Sequence, residues 1–311
     1  MQRISAYLAA GWLQALAATV SALLITAPVW AQGTETPANA GTDARAAALM
    51  AKHAELSPQL TRSPFRRPLL LESSETASMT SGDAYAVLDT PFSNVTTTFK
   101  SPSRWCDVMM LHLNTKFCRA SGDSNPAMLK MNVGRKAEQP LKDTYALEFT
   151  SRLLAASPQY LGVQLNAAQG PLGTSNYRIE LQAVPLAEGK TFMHLRYSYG
   201  YGVTSRLAMQ GYLATVASDK VGFTQIPKTS GMGYVAGMRG TVERNTMRYY
   251  LAIEAYLATL DRPAPQQLEA RLKYWFDATE EYPRQLHELD RNTYLTMKRD
   301  EYQRLQGAAP S

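Results

Sequence analysis

Residues 239–260 read RGTVERNTMRYYLAIEAYLATL. Val242, Thr246, Tyr249, Tyr250, Ile253, Tyr256, Leu257 and Leu260 recur at the i, i+3, i+4 spacing of a helix with one buried stripe. Gly240 and Thr241 supply a start signal, and Glu243 suits the positive end of the helix dipole. Pro263 ends the helix, because the residue before a proline avoids the helical region. At about 1.5 Å per residue such a helix is about 33 Å long. A helix of that length needs a broad surface to lie on.

The surface is predicted upstream, where residues 127–224 alternate apolar and polar. Strands are expected at 128–133, 144–154, 160–166, 177–184, 191–201 and 205–216. Tyr145, Leu147 and Phe149 share one face, as do Tyr177, Ile179 and Leu181. In 191–201, Met193, Leu195, Tyr197, Tyr199 and Tyr201 take one side, and Phe192, His194, Arg196 and Ser198 the other. Turn residues separate the runs (Asn125 with Pro126, Ser157 with Pro158, Gly170 with Pro171, Glu188 with Gly189). Strands joined by turns this short must be antiparallel, since a parallel pair needs a crossover of a dozen or more residues.

Before this run, 68–75 reads as an edge strand and 84–89 as its neighbour. Two short helices follow, one from Ser93 to about Phe99 and one over 103–113. Residues 32–41 have the composition of a disordered leader, and 43–56 that of a short helix. After the long helix, 265–276 is amphipathic through Leu268, Leu272, Trp275 and Phe276. Residues 281–306 carry Leu286, Leu289, Tyr294, Leu295 and Tyr302 at helical spacing.

The chain has 311 residues and a formal charge of +6. Its first 31 residues differ from the rest. Apart from Arg3 and Glu35, nothing before Asp43 is charged. Residues 8–28 are mostly Ala, Leu, Val and Ile, and Val29, Trp30 and Ala31 give a small-x-small ending. This pattern predicts a signal peptide cleaved after Ala31 and a periplasmic or secreted protein. The competing reading is an uncleaved anchor, since the apolar run approaches spanning length. Gln32, standing where a lipoprotein has cysteine, excludes lipid attachment at that site. The exported chain carries +5, with Lys and Arg scattered and no basic block. Nucleic acid is excluded as a partner, and a weak attraction to anionic lipid surfaces remains.

Cys106 and Cys118 are the two cysteines. Twelve residues apart in an exported chain, they predict one local disulfide, with two free buried thiols as the alternative. The histidines at 53, 112, 194 and 287 form no spaced pair, so no metal site is expected. The chain has no Gly-x-Ser-x-Gly elbow, no His-Glu-x-x-His and no phosphate-binding glycine loop. Gly231, Gly233 and Gly237 miss a dinucleotide fingerprint by one residue and read as a flexible turn before the helix. No catalytic residue and no cofactor is assigned.

The order strand, two short helices, antiparallel strands, long C-terminal helix resembles the START-like, or SRPBCC, helix-grip superfamily. That group includes polyketide cyclases, Bet v 1-like proteins and lipid-transfer START domains. The segments that carry the resemblance are AYAVLDTPFSNVTTTFKSPSRWCDVMM (84–110), YSYGYGVTSRLAMQGYLATV (197–216) and RGTVERNTMRYYLAIEAYL (239–257). It implies an exported bacterial member of α+β class, with a curved antiparallel sheet wrapped around the long C-terminal helix and extra C-terminal helices. The organisation expected is a signal peptide (1–31), a leader with a short helix (32–66), a START-like domain (67–262) and a helical extension (263–311).

The resemblance also implies an apolar cavity between sheet and helix, gated by the glycine-bearing loop. Its expected wall is Tyr197, Tyr199 and Tyr201 from one strand, Leu207 and Met209 from the next, and Met247, Tyr250 and Leu251 from the helix. The competing reading is that these residues fill a core. Arg239, Glu243 and Arg244 crowd the helix start, and Arg196 and Arg206 lie on the late strands. A buried arginine among them would anchor a carboxylate or phosphate head group. Asp107 and His112 are a candidate polar pair near one cavity mouth. Three functions fit. The first is a periplasmic binding or carrier protein for a hydrophobic, lipid-like small molecule. The second is a cyclase- or hydrolase-like enzyme using the same cavity. The third is an envelope interaction protein with a filled core, whose C-terminal helices bind a protein partner and are dispensable for folding of the domain.

Overall fold

A computed structural model describes residues 37–203, 205–207, 211, 219–229 and 231–307. The expected signal peptide and Met209 lie outside the described residues. The described residues begin with helix α1, Pro37–Thr61. Strands β1 (Leu69–Glu75) and β2 (Met79–Leu88) follow, then helices α2 (Phe92–Phe99) and α3 (Pro102–Met109). Six further strands come next: β3 (Thr115–Ala120), β4 (Ala127–Val133), β5 (Tyr145–Ser157), β6 (Tyr160–Gln169), β7 (Thr174–Pro185) and β8 (Thr191–Tyr201). A small hairpin, β9 (Gln225–Lys228) and β10 (Gly231–Tyr234), leads into the long helix α4, Gly237–Leu257. Helices α5 (Ala264–Glu280), α6 (Pro283–Leu286) and α7 (Arg291–Gly307) complete the described chain.

The first eight strands form one sheet in the order β1-β2-β8-β7-β6-β5-β4-β3. Every pairing in it is antiparallel. Register shifts interrupt β3–β4, β5–β6 and β7–β8. Each extra residue bends its strand and raises the local twist. At the β7 shift Asn176 takes φ 51°, a left-handed conformation that asparagine tolerates. The bent sheet grips α4. The helix crosses β2 at Gly82, where an added Cβ would collide with the Thr246 side chain and approach the Val242 carbonyl. The fold is therefore α+β helix-grip, with the long helix laid on an antiparallel sheet.

Three expectations change. Residues 205–216 were expected as a strand, but the described members Ser205, Arg206, Leu207 and Gly211 are helical. Leu207 consequently does not extend the sheet; it is 64 % exposed. A β-like alternation is a weak signal here, because β8 ends at Tyr201 and the described residues after it pair with no strand of the sheet. The expected flexible glycine turn contains the β9–β10 hairpin, with Gly237 at φ 62° starting α4. The short helix expected at 43–56 extends over Pro37–Thr61, because Ala46, Leu49, Leu56 and Leu60 pack on the outer face of the sheet. Tertiary burial, more than propensity, sets helix length. This packing also buries Phe192 and Val184, which point away from α4.

The C-terminal helices pack against this same unit. Trp275 Nε1 donates to the Arg248 carbonyl at 3.1 Å, and the Trp275 ring stacks on Tyr294 at 5.1 Å. Tyr294 Oη donates to Leu111 O, and Tyr302 Oη to Asp107 O. Lys298 Nζ donates to His112 O, Thr115 O and Glu301, and Lys116 also pairs with Glu301; all three side chains are fully buried. Burial and neighbouring cations push Lys298 down to about 8 despite Glu301. With the sheet on one side and these helices on the other, α4 buries Glu243, Arg244 and Arg248 as well as its apolar stripe. Cys106 and Cys118 form the expected disulfide, joining α3 to β3.

Candidate functional site

On α4, Asn245 and Tyr249 are one turn apart and keep part of their surface open, while Thr246, Met247, Tyr250 and Leu251 around them are buried. Burial nevertheless drives the Tyr249 hydroxyl well above the usual tyrosine range. Both side chains are thus incompletely covered on a helix that is otherwise buried around them. Tyr197 and Tyr199 from β8, Tyr177 from β7 and Phe149 from β5 stand across from Tyr249. Ring centroids are 5.3 Å apart for Tyr249 and Tyr197, 5.8 Å for Tyr197 and Tyr199, and 5.3 Å for the stacked Tyr199 and Tyr177. Phe149 meets Tyr177 edge-on at 6.4 Å. Alternation along β8 puts its tyrosines on one face, and antiparallel pairing of Ile179 with Tyr197 brings Tyr177 alongside.

His112, in the turn between α3 and β3, stacks on Tyr249 at 5.0 Å. Its Nδ1 accepts from the Asn114 amide at 3.1 Å. In a neutral ring the proton then sits on Nε2, which is buried and unpartnered. Burial first, then Arg248, Lys298 and Lys136, hold its pKa well below the ordinary histidine value, so the ring is neutral at pH 7. The Asn245 amide lies beside both His112 and Tyr197. Burial and its tyrosine neighbours keep Tyr197 protonated well above the usual range.

Two arginines flank this interior. Arg248 Nη2 lies 2.8 Å from Glu288, which also takes Lys136 and Lys220. Burial pushes Lys136 down to about 8, with Arg248 adding to it. Arg244 donates to the Val221 carbonyl at 3.1 Å and the Thr241 hydroxyl at 3.0 Å. Burial, then the Arg248 charge, lowers its pKa to about 10. Glu243 accepts from Phe223 N at 2.6 Å, from Thr224 N and Oγ1 at 2.9 and 2.6 Å, and from Ser73 Oγ. It clasps the segment before β9 to β1 and the helix start.

The structure brings together Tyr197 and Tyr199 of the expected wall and adds residues outside it: Tyr177, Tyr249, Asn245 and His112. Tyr201 lies on the same face, but its hydroxyl is taken by Thr76 O and Met79 O. Met247 and Leu251 are fully buried core residues. Tyr250 points elsewhere, its hydroxyl on Glu254 at 3.1 Å, beside Arg67. Arg239 donates to Ser73 Oγ at 2.8 Å and belongs to the clasp. Arg196 pairs with Asp83 on the outer face. Asp107 pairs with Arg104 at 3.3 Å, so the expected Asp107 and His112 pair is not formed. The missed signal was Asn245 with Tyr249, an i, i+4 pair on the helix whose tyrosine read as core.

Two clefts among the described residues lie elsewhere. One, of about 490 Å³, lies between α1 and the sheet edge and is lined by His53, Leu60, Phe65 and Arg67 among others. The other, by Trp275 and Glu288, measures about 10 Å³, too small for an organic ligand. No group of three or more potential metal ligands occurs among the described residues.

No protein-family model matches the chain, and no curated protein sequence matches it. Solved structures do. Human StAR-related lipid transfer protein 5 matches at 10 % identity and TM-score 0.36, over 71 % of this chain and 98 % of its own. Ara h 8.0201 matches at 9 % identity and TM-score 0.33, over 58 % and 98 %. Norcoclaurine synthase from Thalictrum flavum, in complex with dopamine and hydroxybenzaldehyde, matches at 14 % identity and TM-score 0.32, over 48 % and 84 %. These neighbours are START-like and Bet v 1-like proteins. The helix-grip assignment itself stands on this chain's element order and packing.

Proposed function

We propose that this chain, with the helix-grip fold of the START-like and Bet v 1-like proteins, is an exported carrier for a hydrophobic small molecule held between sheet and long helix. One observation carries the reading. The tyrosine box of Tyr177, Tyr197, Tyr199 and Tyr249 sits deep in the fold, yet Tyr177 and Tyr249 keep accessible surface. Aromatic walls with a few fixed polar groups are the chemistry of a small-molecule site. The leader in residues 1–31 supports a periplasmic or secreted location.

The test begins with protein purified from cells that express the full chain. It is extracted with organic solvent, the extract is analysed by mass spectrometry, and the stripped protein is titrated with a fluorescent fatty acid. A co-purified apolar compound or saturable binding is expected, and Tyr249→Trp, which enlarges the side chain inside the tyrosine box, should abolish both. Absence of ligand and of probe binding would sink the reading.

A second reading, an enzyme acting on an apolar substrate, draws on the neutral His112 ring with its free Nε2 proton beside Asn245. It requires that bound ligand be converted and that His112→Gln stop conversion without stopping binding.

A further inference from the structure

The interior of the grip holds hydrogen-bond donors that lack acceptors. The Tyr199 hydroxyl, Arg244 Nε and Arg248 Nε are buried without partners. The two arginine groups only donate, and the Tyr199 hydroxyl both donates and accepts. Arg244 is 3 % exposed, and among the described residues no carboxylate forms an ion pair with it; its two contacts are the Val221 carbonyl and the Thr241 hydroxyl. The nearby carboxylates are engaged. Glu243 is saturated by Phe223, Thr224 and Ser73, and Glu288 is shared among Arg248, Lys136 and Lys220. Arg244 lies between Val242 and Thr246, the helix residues that meet Gly82, and Gly82 and Thr80 pair with Tyr197 and Tyr199, so α4 and β8 bring Arg244 and Tyr199 to the same interior. Burying a charge is unfavourable unless it is paired, so a guanidinium in this position is one that a ligand completes.

We propose that the ligand is an amphiphile with an anionic oxygen head group, whose head is held by Arg244 and the Tyr199 hydroxyl and whose apolar body lies among Tyr177, Tyr197 and Tyr249. This rests on the carrier reading and narrows its ligand class. The head accepts the orphan hydrogen bonds and supplies the missing negative charge, and arginine suits planar two-oxygen acceptors. A fatty-acid carboxylate and a monoalkyl phosphate share this chemistry.

The experiment displaces a neutral fluorescent probe, N-phenyl-1-naphthylamine, from the stripped full-length protein with palmitate, hexadecyl phosphate or hexadecanol. One or both anions should bind at least about tenfold more tightly than the alcohol, the effect expected of a charge-assisted contact. The tighter of the two identifies the head. Arg244→Met should erase the preference, weakening the anions at least about tenfold more than hexadecanol. Tyr199→Phe, which keeps the ring and removes only the orphan hydroxyl, should weaken the anion several-fold more than the alcohol. Hexadecanol binding reports that each variant is folded. Equal binding of alcohol and anions overturns the head-group proposal while leaving the carrier reading standing. Failure of all three to displace the probe, or of the probe to bind, removes both.

Discussion

Arg244 and Arg248 stand one turn apart on the same helix, both buried, and among the described residues only Arg248 pairs with a carboxylate, Glu288 at 2.8 Å. The two should therefore respond differently to mutation. Glu288→Gln strands Arg248 and Lys136 together and should cost about 3 kcal/mol in urea unfolding, because breaking a buried pair leaves uncompensated charge. Arg244→Met breaks no ion pair and should stay within about 1 kcal/mol of the parent. A loss at Arg244 as large as that at Glu288 would show that Arg244 is structural and would contradict its assignment to ligand.

The neutral His112 makes the fold acid-sensitive. Its folded pKa lies well below the ordinary value of 6.5, so below that pH the unfolded chain binds a proton that the folded chain refuses. Stability from this group is complete above pH 6.5 and is lost as pH falls from 6.5 toward the folded pKa, at a slope near 1.4 kcal/mol per pH unit. Unfolding free energies measured from pH 7.5 to 5.5 should fall more steeply for the parent than for His112→Gln. His53, also lowered by burial, contributes in the same direction in both proteins, so the difference isolates His112. Parallel curves would refute the assignment.

At Gly82 the helix and β2 come too close for a side chain. Gly82→Ala should cost about 2 kcal/mol by overpacking. The nearest obstacle is the Thr246 side chain, so adding Thr246→Ala should restore part of the loss, leaving the Val242 carbonyl as the residual conflict. A coupling energy near zero in this double-mutant cycle would mean that helix and strand do not cross there.

The C-terminal helices should prove inseparable from the domain. A chain ending at Arg262 loses Trp275, Tyr294 and Lys298, and it exposes a face of α4 that the structure buries. It should fail to give a cooperative unfolding transition, whereas the interaction-protein reading of the sequence has a dispensable tail. Lys298→Met should cost about 3 kcal/mol, since it leaves Glu301 and two carbonyls without their shared donor. Soluble, cooperatively folding protein from the truncated chain would count against this packing.

Much of the architecture was readable locally. The strand 191–201 was placed to the residue, because alternation of Met193, Leu195 and the tyrosines against Phe192 and His194 leaves a single register with an apolar inner face. The long helix differed by two residues at its start and three at its end. The run 205–216 misled, because alternation is a statement about two faces and only neighbouring strands make it a strand. The candidate site was half legible. Tyr197 and Tyr199 were chosen because they share a face with the sheet's apolar side. Tyr249 and Asn245 were not, because a helical stripe does not say which of its members meets a bent sheet at a distance and which meets it flush.

The sequence by itself determined the class: an antiparallel layer, one long helix after it, and apolar stripes in the tail. These follow from periods of 2 and 3.6 residues, which are properties of short segments; the disulfide between Cys106 and Cys118 was one of two readings, and the structure forms it. Only the tertiary structure decided that the tail covers the back of α4, that α1 covers the outer face of the sheet, and that Arg244 lacks a carboxylate while Arg248 four residues later has one. Those facts depend on partners 40 to more than 180 positions away in the chain, and no local pattern encodes whether a buried charge meets its counterpart.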